Sequence, residues 1–91
     1  MKALSFEQLE VGKLYNTIRQ RTYPRPVFAQ PVRVDFVGEI QREDAFVILE
    51  LENLVRDGYK EKWVKVLTTQ GIIGWTLFIF DPEPTFVELS P

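Results

Sequence analysis

The stretch Trp63-Val-Lys-Val-Leu-Thr-Thr-Gln-Gly71-Ile-Ile-Gly74-Trp75 constrains the fold more than any other. Two apolar alternating runs are joined by a short polar turn and closed by a Gly-x-x-Gly-Trp cluster. Alternation with a period of two places successive side chains on opposite faces of a strand, so the stretch predicts a hairpin of two strands. A hairpin with apolar residues on both arms must bury a face against further strands, and the reading is the central hairpin of a small β-barrel.

The rest of the chain supplies those strands. Ser5-Phe6-Glu7-Gln8-Leu9-Glu10 has a capping serine, early acids and apolar residues three apart, which predicts one short helical turn ending near Gly12. Residues 13–19 alternate, with Leu14, Asn16 and Ile18 on one face, and form the first strand. Residues 22–31 hold three of the six prolines. Each proline removes a backbone donor and restricts the residue before it, so an extended loop with polyproline II character is expected there, neither helix nor central strand. A second strand is expected over 32–37, ahead of Gly38 and a charged turn at 41–44, and a third over 45–52. In the third, Val47, Leu49 and Leu51 share one face, and Phe46, Ile48, Glu50 and Glu52 share the other. Residues 53–62 read as a charged connection whose Asp57-Gly58 pair signals a turn, within a loop longer than two residues. Strands over 63–68 and 72–80 form the hairpin, Asp81-Pro-Glu-Pro84 interrupts the chain, and Phe86-Val-Glu-Leu89 is an edge strand or closing clasp. Five or six short strands in 91 residues make one all-β domain over 1–91, because a flat sheet of this size would leave an apolar face in water.

Composition narrows function by exclusion. Without cysteine there is no disulfide or thiolate metal site, and without histidine the commonest zinc ligand and general base are missing. Neither enzyme activity, metal nor cofactor is expected. The N-terminus carries acids where a signal peptide needs an apolar run, no stretch approaches the ~20 apolar residues of a membrane span, and a cytoplasmic location follows by default. Charge is uneven. Lys13, Arg19, Arg21, Arg25 and Arg33 lie between Val11 and Val34 with no acid among them, a segment of +5, while thirteen acids against six bases elsewhere give −7. A basic edge is expected.

Trp63-x-x-Val66, the polar turn and Gly71-x-x-Gly74-Trp75 resemble the core run of the SH3-like barrels of bacteria and their phages. Phe46-Val-Ile-Leu-Glu and Phe86-Val-Glu-Leu are similar to the strands that flank it. The Val11-to-Tyr15 opening, paired with this hairpin, also resembles short uncharacterised proteins of tailed phages. The resemblance implies a small SH3-like barrel of five or six strands with a long proline-rich first loop, and it implies no particular ligand.

Gly71 and Gly74 are expected to permit a tight turn and a close strand crossing; a phosphate cradle needs a following helix, and a strand follows. Trp75 is expected in the packing, whereas Trp63, beside Lys62 and Lys65, is a binding candidate. Tyr15, Tyr23 and Tyr59 are candidates because a phenol works half exposed, with ordinary rim packing as their bland alternative. Tyr23-Pro24-Arg25-Pro26 is preferred as a rigid loop packed on its own barrel through Phe28 over a ligand-like proline segment. Glu50 and Glu52 share a strand face and read as solvated rather than catalytic.

The function expected is a binding module that recognises a protein or peptide segment in a cleft between the first loop and the residues before Trp63. Tyr15, Arg21, Tyr23, Arg25, Tyr59 and Trp63 are the expected ligand-binding residues. Alternatives are single-stranded nucleic acid on the basic aromatic edge, cell-wall binding, or a homo-oligomer in which Phe78, Phe80 and Phe86 bury an edge between copies. On this reading Trp63→Ala stays folded and binds less well, whereas Trp75→Ala unfolds.

Overall fold

The structure, a computed structural model, describes residues 3–17, 24–41, 44–78 and 86–89. A single 3-10 turn at Phe6–Gln8, with the Ser5 N–H donating to Gln8 Oε1 at 2.8 Å, is the short helical element expected near the N-terminus. Seven strands follow among the described residues: β1 (Leu14–Asn16), β2 (Arg25–Phe28), β3 (Phe36–Ile40), β4 (Phe46–Arg56), β5 (Tyr59–Thr68), β6 (Ile73–Leu77) and β7 (Val87–Glu88). They pair antiparallel in one sheet of order β3-β2-β6-β5-β4-β1-β7, which curls into a half-barrel. The all-β expectation holds, and β7 is the edge strand proposed for the C-terminal run.

Local chemistry corrects several boundaries. Asp57 and Gly58 both adopt positive φ, 52° and 82°, and Arg56 pairs directly with Tyr59. This is a two-residue hairpin turn of the kind whose twist matches the flanking strands. The expected charged connection over 53–62 is therefore strand on either side of that turn, with its charges on a long hairpin. Asp35 is also at positive φ (58°), and Val32 and Val34 donate to carbonyls two residues back, so 30–35 is bent chain and the second expected strand is displaced to Phe36–Ile40. Part of the proline-rich segment is strand as well. Pro26 lies opposite Glu39 of β3, and β2 meets β6 at a single register position, Phe28↔Trp75, so the proline sits beyond the part of the strand paired on both sides.

In β4 the alternation changes phase. Ile48 pairs with Val66 and Glu50 with Lys65, which leaves Leu49 as the extra residue of a bulge. Phe46 and Ile48 face the core before it and Leu51 packs against the core after it, so the uniform faces expected over 45–52 do not exist.

The inner face holds Phe6, Leu9, Tyr15, Val27, Ile40, Phe46, Ile48, Val64, Val66, Phe78 and Phe86 as one buried cluster. Phe78 and Phe86 stand 5.0 Å apart inside it, so within one copy neither presents an exposed edge; Phe80 lies outside the described residues. Gly71 takes a φ of 87° in the turn before β6, and at Gly74 an added Cβ would lie 2.6 Å from the Phe28 carbonyl oxygen, so both glycines serve the turn and crossing expected of them.

Trp63 is completely buried on the outer face, with Phe28 edge-on at 6.2 Å and its indole N–H donating to Glu61 Oε1 at 3.1 Å. The division of roles expected for the two tryptophans fails, because both are enclosed. Trp63→Ala is expected to cost about 3–5 kcal/mol, as removal of a large buried ring does, read as a lower urea midpoint; an unchanged midpoint would contradict the buried placement.

Candidate functional site

The residues nominated from sequence separate onto two faces. Tyr15 is enclosed on the inner face, its ring 6.5 Å from that of Phe46 and its Oη accepting the Glu10 N–H at 2.9 Å. Arg25 is buried on the same face; Nη1 donates to the Leu77 carbonyl at 2.6 Å and the guanidinium lies 5.1 Å from the centroid of the Phe86 ring. Trp63 and Tyr59 belong to the outer face. Tyr59, 76% exposed at the tip of the β4–β5 hairpin, is the single nominated residue among the described ones that is open to solvent. Arg21 and Tyr23 lie outside the described residues.

The expected cleft between the first loop and the residues before Trp63 is bridged by a side chain. Arg56 donates to Glu61 Oε1 at 2.6 Å and to the Pro31 carbonyl at 2.8 Å. Glu61 thus accepts from both Arg56 and Trp63, and the loop over 29–35 is drawn down onto the outer face. Phe28 touches Trp63 and Phe36 edge-on, so the described part of the proline-rich segment packs on its own sheet.

Several cations are also engaged. Lys13 pairs with Glu10 at 2.8 Å and reaches Glu88 at 3.8 Å. Lys62 meets Glu7 at 2.6 Å while its ammonium lies 5.4 Å from the Phe6 ring centroid, and this hydrogen bond holds the Glu7 carboxyl below its ordinary pKa. Of the five bases in the basic segment, Arg33 is exposed, Lys13 is paired, Arg25 is buried, and Arg19 and Arg21 lie outside the described residues.

The outer face has a second region that sequence reasoning did not nominate. Leu14 pairs with Val47, Val47 with Leu67, and Leu67 with Ile73, so four apolar side chains line up across β1, β4, β5 and β6. Leu14 and Val47 are half-buried, and Leu67 and Ile73 are 37% and 54% exposed. The adjacent row on this face carries Glu50, Lys65 and Trp75, with Glu50 and Lys65 4.0 Å apart. The signal was present in the sequence as apolar residues on both faces of 46–49 and 66–67. It points to this row only once the register is known.

Burial raises the Tyr15 phenol above its ordinary pKa, the favourable hydrogen bond from Glu10 being the smaller effect. Such a group contributes stability that is complete below the unfolded-state value near 10 and is lost as pH rises through the higher folded-state value. Stability is expected to fall across that window, and Tyr15→Phe, which removes the ionisable phenol, is expected to abolish that fall; an unchanged alkaline profile in the variant would contradict the placement.

No helix among the described residues is long and apolar enough to cross a membrane. No protein-family model, curated protein or solved structure matches the chain.

Proposed function

We propose that this chain is a non-enzymatic binding module of the SH3-like, phage-like kind, which recognises a protein segment on the outer face of its half-barrel. The observation that carries the reading is the row Leu14, Val47, Leu67 and Ile73, a contiguous apolar band across four strands of the outer face. A monomeric soluble domain gains nothing from leaving such a band in water, and contiguous exposed apolar surface rimmed by polar groups marks interaction sites. The paired Glu50 and Lys65 beside it supply that rim. A cytoplasmic setting suits a chain free of cysteine.

Burial of Arg25 and pairing of Lys13 favour a protein partner over single-stranded nucleic acid, which needs cations free to meet phosphates. The test is selection of peptides from a random displayed library against the intact protein, followed by amide-shift mapping with the selected peptides and with a mixed-sequence oligonucleotide at two salt concentrations. Peptide-induced shifts at Val47, Leu67 and Ile73 are expected, with affinity reduced about tenfold or more by Ile73→Lys and unchanged by Tyr59→Ala, since a charge in an apolar contact is costly to desolvate. Salt-sensitive oligonucleotide shifts around Arg33 and Lys60, without peptide binding, would overturn the reading.

A further inference from the structure

The C-terminal strand is joined to the sheet by little backbone and by one large side chain. β7 is two residues long and pairs through Tyr15↔Glu88 and Asn16↔Val87 alone. Two further bonds hold its ends, Leu4 N–H to the Phe86 carbonyl and Leu89 N–H to the Leu14 carbonyl, each at 2.9 Å. Phe86, in contrast, is fully buried: its ring lies 5.2 Å from Phe46, 5.0 Å from Phe78 and 5.1 Å from the Arg25 guanidinium. Side chains alternate along the strand as in a bound peptide. Phe86 enters the inner aromatic socket, Val87 is buried on the other face, and Glu88 returns to the inner side within 3.8 Å of Lys13.

We propose that the outer edge of β1, with the socket formed by Phe46, Phe78 and Arg25, is a strand-binding site that the chain fills with its own C-terminal strand, and that the same strand from a second copy can enter in its place. The occupant is fixed by the contacts on view: an aromatic for the socket, a β-branched residue for the opposite face, and an acid for Lys13. Exchange between copies keeps every one of these contacts, so what opposes it is only the local concentration of the tethered strand, on the order of millimolar for a short connection. With two paired residues, β7 gives up few backbone bonds on leaving β1, the cost of its release lying mainly in the Phe86 socket. The site lies in the inner socket and along the β1 edge, sharing only Leu14 with the outer apolar row, and does not depend on the segment-binding proposal.

The test uses the intact isotope-labelled chain and an unlabelled synthetic peptide of residues 84–91. Amide signals of Leu4, Tyr15, Asn16 and the chain's own Val87 and Leu89 are expected to convert to a second set, half complete at peptide concentrations on the order of millimolar. Phe86→Leu in the intact chain, which loses ring contacts and keeps apolar bulk, is expected to lower that midpoint about fivefold. Should that variant not fold, Glu88→Lys beside Lys13 is expected to lower the midpoint in the same direction. A peptide with alanine in place of its phenylalanine is expected to leave the spectrum unchanged. The proposal is overturned if nothing converts at about ten times the effective concentration, if the alanine peptide acts equally, or if the intact chain at millimolar concentration stays monomeric by light scattering while the peptide enters.

Discussion

The half-barrel depends on a backbone contact at Gly74 that no other residue permits. There β6 passes β2 so closely that an added Cβ would stand 2.6 Å from the Phe28 carbonyl oxygen, 2.7 Å from Val27 Cγ1 and 3.0 Å from Val37 Cγ2. The first two distances are below any real side-chain contact, and one of them is to backbone, which has no alternative rotamer. A second crossing at Gly38 is filled by Ile72, whose Cδ1 would be 2.7 Å from a Cβ there. With these two positions bare, the β2–β3 hairpin folds against β6. Val27 is then placed in the inner cluster and Phe28, one residue on, over Trp63 on the outer face.

From that contact the two faces acquire different roles. The inner face is closed by side chains from both ends of the chain: Phe6 and Leu9 from the N-terminal turn and Phe86 from the C-terminal strand. Burying Arg25 among them is tolerable because its charge is met by the Leu77 carbonyl and the face of Phe86, where a cation is attracted by the ring quadrupole. Thr76 is less well served; its Oγ1 is buried with no hydrogen-bond partner among the described residues. The outer face divides along the strands. At one end Arg56 and Glu61 pull the first loop over Trp63, and at the other the row from Leu14 to Ile73 runs from half-buried to exposed.

Much of this architecture was legible in the residues. The hairpin from Trp63 to Trp75, the turn and crossing glycines, the short N-terminal turn and the C-terminal edge strand all follow from patterns that act over a few residues. What was not legible depends on register. The bulge at Leu49 inverts which residues of β4 look inward, and nothing in the alternation of 45–52 announces it. Asp57-Gly58 was recognisable as a turn, but charges on both arms of the hairpin read as loop because a projecting strand pair need not be amphipathic. The site was least legible of all. Tyr15, Arg25 and Trp63 have polar tips that suit an exposed surface, and each instead finds an internal partner, in Glu10, Leu77 and Glu61 respectively. The apolar row joins Leu14 of β1 to residues of the consecutive strands β4, β5 and β6 in a register set by the bulge and the turns, so it becomes a surface only after the sheet is assembled.

The close crossing at Gly74 can be observed directly in the unmodified protein. A nuclear Overhauser spectrum of the methyl-labelled chain is expected to show strong cross-peaks from the Gly74 α-protons to methyl groups of both Val27 and Val37, residues far apart from it in sequence and adjacent only if β2 and β3 lie against β6. Cross-peaks confined to the β5 neighbours Val66 and Lys65, with none to either valine, would mean that the sheet does not curl at this point and would contradict the account.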